Sequence, residues 1–144
     1  MEELNTQVVR DIYAGFKRGD IPAILDRIAD DVVWDVPAPP HVPHAGRRFG
    51  RDEVARFFKI LKENAEFHTF EPRDFVAEGD RVAAVGHYSG RAKTTGRDFV
   101  TDFVMVFTFR DGKVVEMREY LDTAALGSAF DTGESHLAGV PGNP

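Results

Sequence analysis

Four consecutive segments alternate apolar and polar residues, at roughly 66–77, 80–91, 97–109 and 113–121. Only "EGD", "AKTTGR" and "RDG" separate them. Alternation with period two marks half-buried strands. Parallel neighbours need a crossover of about a dozen residues or more, and none of these connections is that long. The second half of the chain is therefore confined to an antiparallel meander.

The first half reads differently. Leu4, Val8, Ile12 and Phe16 recur every four residues, with Val9 and Tyr13 beside them, which predicts an amphipathic helix. Gly19 is its stop and Asp20 the N-cap of a second, short helix, "IPAILDRIA", where Pro22 is tolerated in the first turn. "DDVVWDV" reads as a strand, and "PAPPHVPHAGRRFG" as a loop rich in proline and glycine. "RDEVARFFKILKEN" is a third helix with Val54, Phe57, Phe58 and Leu61 on its stripe; Asp122 caps a last one holding Leu126 and Phe130. The order α-α-β-α-β-β-β-β-α describes an α+β domain with helices packed on one sheet face. A chain of 144 residues fits one domain. We assign it to residues 1–132 and expect the Gly/Pro-rich segment 133–144 to be a flexible tail.

Composition excludes several functions. There is no cysteine, so neither disulfides nor thiolate metal sites are available. A formal charge of −6 and short, diluted basic clusters argue against nucleic acid. The longest apolar run, "FVMVF", cannot span a bilayer, and the start "MEELNTQ" lacks signal-peptide features. No membrane partner is expected, and a cytoplasmic location is the default.

The last strand carries the chemistry. In "GKVVEMREYLD" one face is apolar except for Glu119. Reading "RDG" as a three-residue loop with Gly112 in the left-handed position pairs Phe109 with Lys113, Met105 with Met117 and Phe103 with Glu119. Phe99, Phe103, Phe107 and Phe109 then share a face with Met105, Met117 and Glu119, while Asp102 and Arg118 become a diagonal ion pair on the other. A carboxyl among phenylalanines is desolvated, which raises its pKa towards the range of a general acid or base. The bland alternative, a strand-end glutamate reaching solvent, weighs about equally on these residues alone. Thr101 and Tyr88 share the face, and the small residues Ala84, Gly86 and Gly90 are expected to leave room beside them.

"RGDIPAILDRIADDVVWDVP", the helix opening "GRDEVARFF" and the ending "FRDGKVVEMREYLD" together resemble the nuclear transport factor 2-like superfamily. That superfamily includes ketosteroid isomerase, SnoaL-like polyketide cyclases and limonene epoxide hydrolase. The likeness spans about residues 4–130. It implies a curved antiparallel sheet wrapped by helices into a cone-shaped α+β barrel, an internal pocket and a homodimer through the outer sheet face. The isomerase's catalytic residues fall on Ile12, Val36 and Met105 and are not retained; Tyr13 is one position off the first and is expected to face elsewhere. The final strand is similar to that of limonene epoxide hydrolase, and Glu119 matches one of its catalytic carboxylates. The partner carboxylate falls on Tyr88, the arginine between them on Gly86, and the water-holding pair on Trp34 and Val36.

These readings make the chain a candidate cofactor-independent isomerase, cyclase or hydrolase for an apolar polyketide-, terpene- or steroid-like compound. Glu119 would move a proton and Tyr88 would donate to a developing oxyanion, with Thr101 assisting. Trp34, Val36, Phe103, Met105, Met117 and Leu121 would line the pocket with Phe16 and Phe57 from the helices. A non-catalytic binding protein and a dimeric interaction module are the alternatives. His41 and His44, at H-x-x-H without a third ligand, read as solvated loop histidines rather than a metal site, though the loop could lid the pocket and offer an imidazole. His87, Val104 and Val106 have outer-face parity, and the two valines suggest a dimer interface.

Overall fold

The structure, a computed structural model, describes residues 1–133; the expected tail, from 134 on, lies outside the described residues. Helix α1 (Glu2–Arg18) ends at Gly19, whose φ of 72° closes the helix in the left-handed conformation. Asp20 caps α2 (Ile21–Leu25) by accepting from the Ala23 amide, and Asp122 caps α4 (Thr123–Phe130) by accepting from the Ala125 amide. Between them run β1 (Ile28–Val36), β2 (Gly46–Phe49), α3 (Arg51–Asn64), β3 (Ala65–Glu78), β4 (Arg81–Ala92), β5 (Asp98–Arg110) and β6 (Lys113–Leu121). The one unexpected element is β2, four residues at the end of the stretch read as loop. It is too short for its alternation to register, and it exists because β1 offers it an edge.

The six strands form one sheet in the order β2-β1-β6-β5-β4-β3. The meander is antiparallel as expected, but β1 lies parallel to β6, so the sheet is mixed. Nothing in the alternation of a strand states which neighbour it will take; a long excursion through α3 and the meander separates these two and permits the parallel pairing. The sheet does not close into a barrel, since β2 and β3 remain edges. Its inner face is covered by α1 and α3, which bury Val9, Ile12 and Tyr13 on one side and Val54, Phe57, Phe58 and Leu61 on the other.

The β5–β6 hairpin differs in detail from the three-residue loop expected. Arg110 pairs with Lys113 across a two-residue turn, with Asp111 at φ 52° and Gly112 at φ 77°. Two positive φ values make a type I′ turn, which matches strand twist. A bulge follows, where Phe109 faces Val114 and Thr108 faces Glu116, leaving Val115 as the extra residue. The bulge restores the parity that a two-residue turn alone would have inverted. Phe107 therefore opposes Met117, Met105 opposes Glu119 and Phe103 opposes Leu121. Glu119 lies on the expected face, two residues from its expected partner.

Two further expectations are corrected. Asp102 and Arg118 do not pair: Arg118 donates to Asp35 at 2.9 Å on the parallel neighbour, and His87 lies 3.0 Å from Asp102. Gly86 and Gly90 do not leave open space. Each sits opposite a bulge of β3, at Pro72/Asp74 and Phe67/Thr69, where the backbone at Glu71 and Glu66 closes in. A Cβ on Gly86 would stand 2.6 Å from Phe103 Cζ, and one on Gly90 2.8 Å from Phe99 Cζ. The glycines let aromatic rings lie flat on the sheet where it bends.

Candidate functional site

Glu119 projects from β6 into a small cavity of about 50 Å³ between the sheet and helices α1 and α3. It is only 4 % exposed. The alternation of β6 and the Val115 bulge put it there; the phenylalanines of α3, β3 and β5 exclude water around it. Burial pushes its carboxyl up to about 7, against the opposing effect of a hydrogen bond from Tyr88. The Tyr88 hydroxyl donates to Glu119 Oε2 at 3.0 Å. Its ring lies nearly parallel to Phe70 at 5.2 Å and is inclined by 28° to Phe103 at 5.5 Å, and those two rings are themselves 5.3 Å apart, so the donor is held in a three-ring cluster.

A second tyrosine enters from α1. Tyr13 was expected to face elsewhere, but it is buried and lines the cavity. Its hydroxyl sits 3.0 Å from Met105 Sδ, and Met105 is the cross-strand partner of Glu119. A thioether is a weak acceptor, so this hydroxyl can turn to a better one. Desolvation, then the charge of Glu119, hold the Tyr13 phenol well above its ordinary pKa, so it remains a proton donor. The spacing Val9, Ile12, Tyr13, Phe16 is the i, i+3, i+4, i+7 pattern of a buried helix stripe and was the signal that could have placed it.

Two other polar groups border the cavity without partners. Trp34 Nε1 and His44 Nδ1 are buried and make no hydrogen bond among the described residues. His44 is therefore not a solvated loop histidine. Its ring meets Phe57 and Phe130 edge-on, and burial, with the Arg48 charge second, pulls its pKa down to about 4, keeping it neutral. Arg48 Nη1 donates to the His44 carbonyl at 2.9 Å and fixes the loop. His41 is occupied elsewhere, its Nε2 lying 2.7 Å from the Gly127 carbonyl on α4. No group of three potential metal-ligating side chains occurs among the described residues. No local pattern in "HVPHAG" distinguishes the buried histidine from the other, since tertiary packing alone selects it.

Of the residues nominated from the sequence, Glu119, Tyr88, Trp34, Met105, Met117, Phe16 and Phe57 border this cavity. Val36, Thr101, Phe103 and Leu121 do not. Val36 is buried at the end of β1, Phe103 lies behind Tyr88 against Gly86, and Leu121 follows Glu119 towards the strand end. Thr101 Oγ1 donates to the Asp102 carbonyl and accepts from the Asp122 amide, which ties β5 to the start of α4. Ile12, Phe58, Leu61, Phe67, Phe70 and Phe107 complete the wall and were not nominated. The bulges in β3 upset the alternation that would otherwise mark Phe67 and Phe70 as inward-facing.

The SnoaL-like domain family's sequence model matches residues 9–117. A crystal structure of a nuclear transport factor 2-like protein from Burkholderia xenovorans LB400 is similar at 38% identity and a TM-score of 0.83, over 90% of this chain and 98% of that one. A protein of the same fold and unknown function from Burkholderia pseudomallei K96243 is similar at 31% identity and 0.79, over 88% and 97%. TerC, co-crystallised with polyporic acid, is similar at 28% identity and 0.77, over 90% and 99%. No curated protein matches the sequence.

Proposed function

Because the chain belongs to the SnoaL-like domain family, of nuclear transport factor 2-like fold, we propose that it is an acid/base enzyme, an isomerase, cyclase or hydrolase, acting on a small apolar carbonyl compound of polyketide, terpene or steroid type. The observation that carries this reading is Glu119, a carboxyl held near neutral pKa in an aromatic cavity with a tyrosine hydroxyl on one oxygen. As a carboxylate it takes a proton from the carbon beside the carbonyl, and the C–H electron pair moves to the carbonyl oxygen. Tyr13, leaving the Met105 sulfur, donates to that oxygen. In a β,γ-unsaturated carbonyl compound the product of this step is a dienolate, and Glu119 returns the proton at its γ-carbon as the electron pair on oxygen re-forms the carbonyl. Tyr88, first nominated as the oxyanion donor, already donates to Glu119 and orients it instead. This chemistry requires no cofactor. That TerC has been co-crystallised with an organic acid supports a small organic ligand in this fold.

The test does not need the natural substrate. Cyclic ketones and unsaturated carbonyl compounds are incubated with the protein in heavy water, and deuterium uptake beside the carbonyl is followed by NMR. Wild-type protein exchanges at least one compound. Glu119→Gln lowers the rate by about 10²–10⁴-fold, and Tyr13→Phe by about 10²-fold. An unchanged rate in Glu119→Gln ends the proposal. The tight filling of the cavity favours a second reading, a non-catalytic module, and absence of both binding and exchange across the panel would select it.

The outer sheet face supports a homodimer. Val85, Val104 and Tyr120 form a cross-strand row over β4, β5 and β6, flanked by the exposed Val76 and Val100. We propose that two copies join there. Val104→Lys should convert a dimer into a monomer in light scattering, and a wild-type monomer would refute the interface.

A further inference from the structure

We infer that the compound this protein takes carries an anionic group remote from its reacting end, seated in the groove between α1, α3 and β3. The assignment rests on the acid/base reading of Glu119 only for the direction in which the ligand points. The inner cavity has room for roughly four waters, at about 10–15 Å³ each, whereas pockets for drug-sized ligands occupy about 300–1,000 Å³. Only the reacting end of such a compound can stand beside Glu119. Its body must lie outside, and the adjoining space is an open groove of about 1240 Å³. Tyr13, Phe16, Phe58, Leu61, Phe67 and Phe70 border both spaces and form an aromatic partition between them. Phe16 and Phe70 meet at 5.0 Å and Phe67 and Phe70 at 5.4 Å, so rotation of these rings is what joins the two.

The groove is charged in the opposite sense to the chain. Arg10, Lys17 and Arg18 of α1, Lys59 and Lys62 of α3 and Arg73 of β3 line it, against one carboxylate, Glu71, on a protein of formal charge −6. Glu71 is engaged by Arg73 at 3.5 Å, and Arg18 lies 3.6 Å from Asp20. Arg10, Lys17, Lys59 and Lys62 make no ion pair among the described residues. Helix dipoles account for Lys17, Arg18 and Lys62, which sit in last turns. They do not account for Arg10, which lies over the Phe75 ring at 4.3 Å, or for Lys59. Cations beside an aromatic floor match an apolar anion. An anionic group at that end also stays away from the Glu119 carboxylate.

The experiment compares 2-naphthoate with its neutral near-isostere 2-naphthamide by titration calorimetry at low salt. In an uncharged apolar groove the carboxylate would bind more weakly, because it loses its hydration. The expected result is naphthoate binding about tenfold more tightly, with the preference shrinking as salt shortens the screening length and in Lys59→Gln/Lys62→Gln. Naphthamide affinity should be the same in that variant, which shows that the groove is intact. Equal affinities, or a preference that survives the double substitution, overturn the inference while leaving the role of Glu119 standing. Absence of binding by both compounds overturns it as well. Loss of proton exchange as a function of Glu119, tested separately, fails or succeeds independently of the naphthoate preference.

Discussion

Glu119→Gln should make the protein more stable than wild type above pH 7, by about 3 kcal/mol, and should leave stability nearly unchanged below pH 4.5. The folded carboxyl titrates at about 7, above its ordinary value of 4.5. A carboxyl raised on folding contributes stability that is present in full below the unfolded pKa. That contribution is lost as pH rises through the folded one, because the unfolded chain ionises freely while the folded chain must bury a charge. Each tenfold change in the ionisation constant corresponds to about 1.4 kcal/mol, which gives the magnitude. Glutamine keeps the shape and can still accept from Tyr88, but it never ionises. Urea unfolding between pH 4.5 and 8.5 measures the difference between the two proteins, and His44, present in both, cancels. Parallel profiles would mean that Glu119 reaches solvent and has no special pKa. A stability gain accompanying lost exchange is the pattern of a residue kept for function against its cost to the fold.

Gly86→Ala should cost about 3 kcal/mol, the upper part of the range for overpacking, although alanine is ordinarily acceptable in a strand. The added methyl would meet the Glu71 backbone carbonyl and stand 2.6 Å from Phe103 Cζ. The carbonyl cannot yield without moving the β3 bulge, and Phe103 cannot yield without displacing the stacked Tyr88 ring that holds Glu119. Thermal or urea unfolding reads the loss. A variant as stable as wild type would show that the sheet bend has slack and that Tyr88 is held less firmly than its stacking implies.

Fold and site were legible to different degrees. Caps at Gly19, Asp20 and Asp122 and the apolar periods of α1, α3 and the meander are local signals, and the elements appear where they point. The inward face of Glu119 was legible through the concentration of phenylalanines and methionines on one parity. The turn beneath that reading was not, because two devices, a type I′ turn and a bulge, together give the parity of a three-residue loop. Tyr13 carries the helical spacing of a buried stripe, although the tyrosine position of ketosteroid isomerase falls on Ile12 beside it. Nothing local placed Phe67 and Phe70, whose strand is broken by bulges, or His44, whose burial depends on Phe57 of α3 and Phe130 of α4 both packing on its ring.

The sequence by itself determined the element order, the meander and a carboxyl on the apolar face, because period, caps and turn residues act over a few positions of the chain. Only the tertiary structure decided which groups Glu119 meets. Its neighbours Tyr88, Tyr13, Trp34 and His44 come from four segments brought together by strand bulges, ring stacking and the parallel docking of β1 on β6. Desolvation, which sets the carboxyl near neutrality, is a sum over all of those surfaces and belongs to no one of them.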